Sequence, residues 1–295
     1  MPFKHNIIMN KLPITSRVSV LRCLTEGNSL RSTSRITGVA FNTVVKLLID
    51  AGRACAEYQH RVMRNLSCRR LQLDEIWAFV YAKQANIPEG MENVPGIGSI
   101  WTWIAMDADT KLVPSYLVGL RDSEHARAFV DDLAGRLANR VQITTDGLRA
   151  YVGAIDSAFK GEVDYAILHK IYGTPRPDEA RYSPSDCLGC DKKPAIGNPD
   201  MSHASTSFIE RQNLTLRMRN RRFTRLTNAF SKKIENHEHA IALYFFAYNF
   251  LQRHATLRMP PALFAGVTDH LWSYEELVEL IDRHEIERKR GEIPN

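Results

Sequence analysis

HASTSFIERQNLTLRMRNRRFTRLTNAFSKK, residues 203–233, sets one carboxylate, Glu210, ahead of eight cationic side chains: Arg211, Arg217, Arg219, Arg221, Arg222, Arg225, Lys232 and Lys233. The stretch holds neither Gly nor Pro and spaces its apolar residues for one buried face, which predicts a helix. Two readings of Glu210 stand side by side. An acid at the head of a basic helix suits a metal ligand beside a polyanion. Ser207-x-x-Glu210 also fits a capping box, in which the carboxylate reaches back to the N-cap amide. The cations can be read as a solvated face, but so many beside so few acids repel one another unless a counter-charge such as DNA phosphate is present.

Composition narrows the classes. A chain of 295 residues can form one large domain or two unequal ones with a real core. Hydrophobic residues at 44% and charged residues at 24% are ordinary for a soluble globular protein. The net charge of +6 suits an acidic partner. No stretch approaches the roughly 18 apolar residues of a membrane span. The most apolar run, AIALYFFAYNFL at 240–251, reads as a core helix. The opening MPFKHNIIMNKLPI lacks the apolar block and cleavage site of a signal peptide. Cys23, Cys55, Cys68, Cys187 and Cys190 form no disulfide framework. A reducing, cytoplasmic compartment follows, at the nucleoid if the partner is DNA.

Residues 15–51 read as three short helices. TSRVSVLRCLTEG stops at Gly27, SLRSTSRITG runs from a Ser29 cap to Gly38, and VAFNTVVKLLIDAG ends at Gly52. Two helices joined by a tight Gly-containing turn give the helix-turn-helix pattern, or else a plain three-helix bundle. In a helix-turn-helix the later helix enters the major groove. Asn42, Thr43 and Lys46 would then meet bases or backbone, with Arg31 and Arg35 on phosphates.

From Cys68 the texture changes to strands. CRRLQLDEIWAFVYAK, SIWTWIAMDA and LVPSYLVGL suggest an antiparallel meander. A helix capped by Asp122 or Ser123, a strand VQITTDG, a helix LRAYVGAIDSAF and a strand VDYAILHKIY follow. This order is that of an α/β, RNase H-like domain: a mixed five-stranded sheet with flanking helices, its fourth strand parallel beside the first. Asp74 in the first strand and Asp146 at the end of the fourth would lie on strands about 4.8 Å apart, close enough to share a divalent ion. Glu210 would complete the set. Two Mg²⁺ ions so held can activate a water or 3′-hydroxyl and stabilise the leaving oxygen. Each acid also has a structural reading. Asp146 before Gly147 suits a turn, Asp74 has Glu75 on the opposite face of its strand, and Asp107 and Asp109 suit the turn after the second strand.

LDEIW at 73–77, TTDGLRAY at 144–151 and STSFIERQNLTLRMRNRRFTRLTNAFSKK at 205–233 resemble the DDE transposases of the insertion-sequence-one type, in the retroviral-integrase superfamily. EGNSLRSTSRITGVAFNTVVKLL at 26–48 is similar to that family's helix-turn-helix, which recognises terminal inverted repeats. The resemblance spans roughly residues 15 to 265. It implies Asp74, Asp146 and Glu210 as catalytic, metal-holding acids with two Mg²⁺ or Mn²⁺ ions, and cleavage and strand transfer at the ends of a mobile element. It also implies double-stranded DNA, both element ends and target, as partner, bound by a homo-oligomer. Many members carry a zinc-binding Cys cluster ahead of the helix-turn-helix, whereas here no Cys precedes Cys23.

The expected organisation is a DNA-binding unit at 1–66, a catalytic unit at 67–265 and a helical tail at 266–295. Arg211, Arg217 and Arg221 are candidate phosphate contacts, and His203 a further substrate contact. The Pro- and Gly-rich segment 173–201 reads as a substrate-facing loop; its Cys187-x-x-Cys190 pair alone is weak support for zinc. Two other readings are open: a catalytically inactive DNA-binding repressor, and a nuclease of the same fold.

Overall fold

The computed structural model describes residues 11–173, 187–224 and 227–291. Arg225, the first ten residues and residues 174–186 of the Pro- and Gly-rich segment lie outside the described residues. At the N-terminal end stand α1 (Ile14–Thr25), α2 (Leu30–Thr37) and α3 (Phe41–Val62). The Ser29 hydroxyl accepts from the Ser32 amide at 3.0 Å, and Gly38 closes α2 in the left-handed conformation at φ 71°. The third helix does not end at Gly52 as the sequence suggests. Gly52 is buried mid-helix, where a Cβ would collide with the Cα and Cβ of His239. This glycine permits a close helix crossing rather than ending a helix.

The β-branched and aromatic runs pair into one sheet. β1 (Arg70–Val80), β2 (Gly98–Asp107) and β3 (Ser115–Gly119) form the antiparallel meander. Then come α4 (Ser123–Ala134), capped by the Asp122 carboxylate on the His125 amide, β4 (Val141–Thr145), α5 (Arg149–Phe159) and β5 (Val163–Tyr172). β4 lies parallel to both β1 and β5. A sixth strand, β6 (Cys187–Ile196), pairs antiparallel with β5, giving the order β3-β2-β1-β4-β5-β6. The expected five strands are therefore six, and the loop reading fails over 187–196. β6 is exposed along nearly all its length, so no alternation of apolar residues announces it.

The basic stretch is not one helix. α6 (Ser207–Arg219) is followed by a single 3₁₀ turn, Arg221–Phe223, and α7 begins only at Ile234. Asn220 breaks the helix: its side chain accepts from the Arg222 amide and donates to the Ala240 carbonyl. α7 (Ile234–Phe246) runs into a π turn at Ala247–Leu251 and, as its composition predicts, is buried. After the single turn α8 (Pro261–Phe264), α9 (Tyr274–Lys289) starts with a capping box between Ser273 and Glu276. It packs on α1 and α3, and the largely buried Arg17 of α1 holds Asp282 through two hydrogen bonds of 2.9 and 2.8 Å.

Strand alternation gives the sheet two apolar faces. Leu71 and Leu73 join the core beneath α4 and α5, a core continuous with the N-terminal helices and α9. Ile76, Ala78 and Val80 join the other, formed with α6 and α7.

Candidate active site

Pairing between β1 and β4 runs through Arg70↔Gln142, Leu71↔Ile143 and Gln72↔Thr144. Two residues further along, the same register reaches Asp74 and Asp146. β4 has ended by then, and the Asp146 carboxylate bends the chain by accepting from the Leu148 amide at 2.9 Å. A Cβ at Gly147 would meet the exposed His169 ring, which would have to turn aside.

Asp74 faces α6, where Asn213 Nδ2 donates to its Oδ2 at 2.7 Å, while the Glu75 amide donates to its Oδ1 at 2.9 Å. Glu75 faces α5. Its Oε1 accepts from Arg121 Nε at 2.7 Å and its Oε2 from the Tyr151 hydroxyl at 3.0 Å. The opposite-face reading of the two acids holds, yet Asp74, Glu75 and Asp146 each bring an oxygen within 4.8 Å of the others. With β4 ended, no neighbouring backbone separates the faces there, and both can converge on Asp146.

Burial, then the charges of Glu75 and Asp146, pushes the Asp74 carboxyl up to about 7. Glu75 is raised by burial and by Asp146, against the pull of Arg121 and Tyr151. Three hard oxygen donors at this spacing fit Mg²⁺ or Mn²⁺.

Glu210 lies on the same pocket, a cavity of about 530 Å³ that Asp74, Glu75, Asp146, Lys170 and Arg217 also line. It makes no capping box. Thr206 is the N-cap of α6, and its hydroxyl donates to Glu210 Oε1 at 2.5 Å, while Lys170 of β5 pairs with Oε2. The N-terminus of α6 is satisfied from outside, because Gln72 Oε1 accepts from the amides of Phe208 and Ile209 at 2.9 and 3.0 Å. Gln72 sits two residues before Asp74 on the same face of β1, so one strand fixes both acid and helix. Glu210, Asn213 and Arg217 follow at i, i+3 and i+7 along one side of α6.

The other expected residues are distributed as follows. Arg211 is exposed on α6 outside the pocket, and Arg221 lines a separate cleft with Arg31. His203, held by Asp200 at 2.7 Å, stands in another groove with Arg69 and Arg140. Asn42 and Lys46 are exposed at the start of α3, with Lys46 paired to Asp50; Thr43 is half-buried, and Arg31 and Arg35 are exposed on α2. Asp107 binds Thr110 and the Asp109 amide, and Asp109 pairs with Arg70, so both build the turn. Cys187 and Cys190 are free and exposed on β6, and the one close group of three or more ligating side chains among the described residues is the acidic one. Sequence reasoning missed Gln72, Lys170 and Asn213. Only the Glu210-x-x-Asn213 spacing could have pointed to Asn213.

Residues 197–251, from the end of β6 to the π turn, match the model of the IS1 transposase DDE family. The match supports a DDE transposase. It contains Glu210, Asn213 and Arg217 of the pocket, while Asp74 and Asp146 precede it. No curated protein matches the chain. Among solved structures, a piggyBac transposase synaptic complex with hairpin DNA is similar over 96% of this chain and 73% of that chain, at 10% identity and a TM-score of 0.42. No helix among the described residues is long and apolar enough to cross a membrane.

Proposed function

We propose that the chain is a DNA transposase whose catalytic acids are Asp74, Asp146 and Glu210, cutting and joining DNA at the ends of its own element. The observation that carries this reading is the convergence on one pocket of three acids from β1, the end of β4 and α6. Glu75 adds a fourth oxygen source from the opposite face of β1. A pair of Mg²⁺ or Mn²⁺ ions bound by these acids would polarise the scissile phosphate and favour deprotonation of the attacking hydroxyl.

The chain's own residues do the rest. Asn213 orients Asp74, and Arg121 and Tyr151 orient Glu75, so the carboxylates are preorganised. Lys170 balances Glu210 and places an ammonium in the pocket wall, where a phosphate oxygen can accept from it. Arg217 lines the same pocket and supplies a guanidinium to the DNA backbone, with Arg211 and Arg221 contacting phosphates further out. Residues 1–66 form the DNA-reading unit, with Asn42, Thr43 and Lys46 toward the groove and Arg31 and Arg35 toward phosphates. Residues 67–265 form the catalytic unit, and the tail at 266–295 adds α9, which packs on the first. His203, set apart from the acids, contacts DNA outside the scissile phosphate. Two element ends require two such sites, hence a homo-oligomer assembled on DNA at the nucleoid.

The test uses labelled DNA carrying the element's ends, a target plasmid, and Mg²⁺ or EDTA. Metal-dependent end cleavage and joining, lost in Glu210→Gln, is expected. DNA shifted but uncut by both proteins would overturn the catalytic reading and leave a DNA-binding protein. Cleavage without joining would mark a nuclease.

A further inference from the structure

On β1 the face that carries Glu75 continues through Trp77 and Phe79, beyond the part of the sheet whose Trp103 is buried against Phe129 of α4 and Tyr151 of α5. Side chains on one face of a strand recur about every 6.7 Å, so the acid is followed at regular steps by two rings. Trp101 of β2 lies directly across from Trp77. Phe230 adds a further ring at 4.7 Å from Phe79, delivered by a segment whose Ser231 bridges Val80 at the end of β1. Trp77 and Phe79 are themselves 5.8 Å apart, tilted at 34°. All four rings are half-buried.

Cations sit at both ends of this row. Arg121, which holds Glu75, lies over the Trp101 ring at 4.8 Å, and Lys232 lies over Phe230 at 3.8 Å. Trp77, Phe79, Tyr81 and Phe230 line a cavity of about 480 Å³, with Lys83 and Arg222 on its wall and no carboxylate among its lining residues. Lys83 is exposed, and Arg222 donates to the Ser231 hydroxyl at 2.8 Å. Half-buried rings in a cavity whose described lining holds Lys83 and Arg222 but no acid complement a ligand with flat apolar faces and an anionic backbone.

We propose that this row is a stacking site for unpaired nucleotides of a DNA strand that passes the acidic pocket. Bases stack on Phe79, Phe230 and Trp77, and Lys83 and Lys232 meet the phosphates. Base–aromatic stacking is sequence-tolerant because every base offers a π-face, and strands opened near a scissile bond are where bases leave the duplex. The proposal rests on the transposase reading only for the identity of the nucleic acid; binding here needs neither metal nor cleavage.

The experiment is equilibrium binding in EDTA, with the full chain and three probes of equal length: oligothymidine, its abasic counterpart with the same phosphates, and a blunt duplex. Tryptophan fluorescence is read with the binding. The expected result is that oligothymidine quenches the fluorescence and binds at least about fivefold more tightly than the abasic strand, the lower end of one stacked base. Phe79→Ala and Phe230→Ala each remove a comparable factor while leaving duplex affinity unchanged, and Phe230→Trp retains it. Equal affinity for oligothymidine and the abasic strand on the unaltered protein would overturn the proposal without reliance on any variant's folding. So would full oligothymidine affinity in Phe79→Ala. Absence of metal-dependent cleavage alongside base-dependent binding would count against the catalytic reading alone.

Discussion

Replacing Asp74 by Asn separates what the acidic pocket costs from what it does. The Asp74 carboxyl is raised to about 7 from an ordinary value of 3.8. Between those values the unfolded chain is ionised and the folded chain holds its proton, so stability falls as pH rises from about 4 to about 7. Above pH 7 the folded state carries the whole penalty. At about 1.4 kcal/mol per pH unit the shift corresponds to roughly 4 kcal/mol, and to about 2 if solvent and neighbouring protons relieve half of it. Asn bears no such charge. Its amide replaces the oxygen facing Asn213, whose own buried Oδ1 has no partner and can accept once that side chain flips. Metal-free Asp74→Asn should therefore be more stable than the unaltered protein at pH 8 by about 2–4 kcal/mol, the gap closing to under about 1 at pH 4.5. Urea midpoints across that range measure it, and Mn²⁺ should raise the midpoint of the unaltered protein but not of the variant. A gap independent of pH, or a variant less stable at pH 8, would refute this account of the pocket's electrostatics.

Other substitutions test the scaffold. Gly52→Ala, which in an open helix would gain up to about 1 kcal/mol, should instead lose about 1–3 kcal/mol because the backbone of His239 cannot retreat, read as a lower melting temperature. Gln72→Ala removes the acceptor for two amides of α6; a loss of about 2 kcal/mol and faster hydrogen exchange at Phe208 and Ile209 are expected. Lys170→Met removes the cation that competes for Glu210, so calorimetry should show Mn²⁺ binding severalfold tighter.

The sequence carried the central sheet well because β1, β2, β4 and β5 are built from β-branched and aromatic runs between clear turns; the β5 reading, VDYAILHKIY, matches the strand end to end. Where it failed, tertiary partners decided. β6 owes its existence to pairing with β5, since its own side chains face water on nearly every position. Gly52 reads locally as a stop, and only the approach of α7 reveals it as a crossing point. Residues 203–233 have a helix's composition, but Asn220 finds better partners outside the helix. In the candidate site, spacing and resemblance single out Asp74, Asp146 and Glu210, and the structure brings these three acids to one pocket. The approach of Glu75 to Asp146 is not legible in the sequence, because alternation places Glu75 on the far face of β1 and β4 ends before Asp146.

The central claim is that Asp74, Asp146 and Glu210 serve one metal site. Fe²⁺ substituted for Mg²⁺, with ascorbate and peroxide, generates radicals that cut the polypeptide beside the bound ion, and mass spectrometry locates the cuts. Cuts clustered near residues 74, 146 and 210, suppressed by excess Mg²⁺ and absent in Asp74→Asn, are the predicted result. Cuts confined to one of the three segments, or placed elsewhere and unaffected by Mg²⁺, would contradict it.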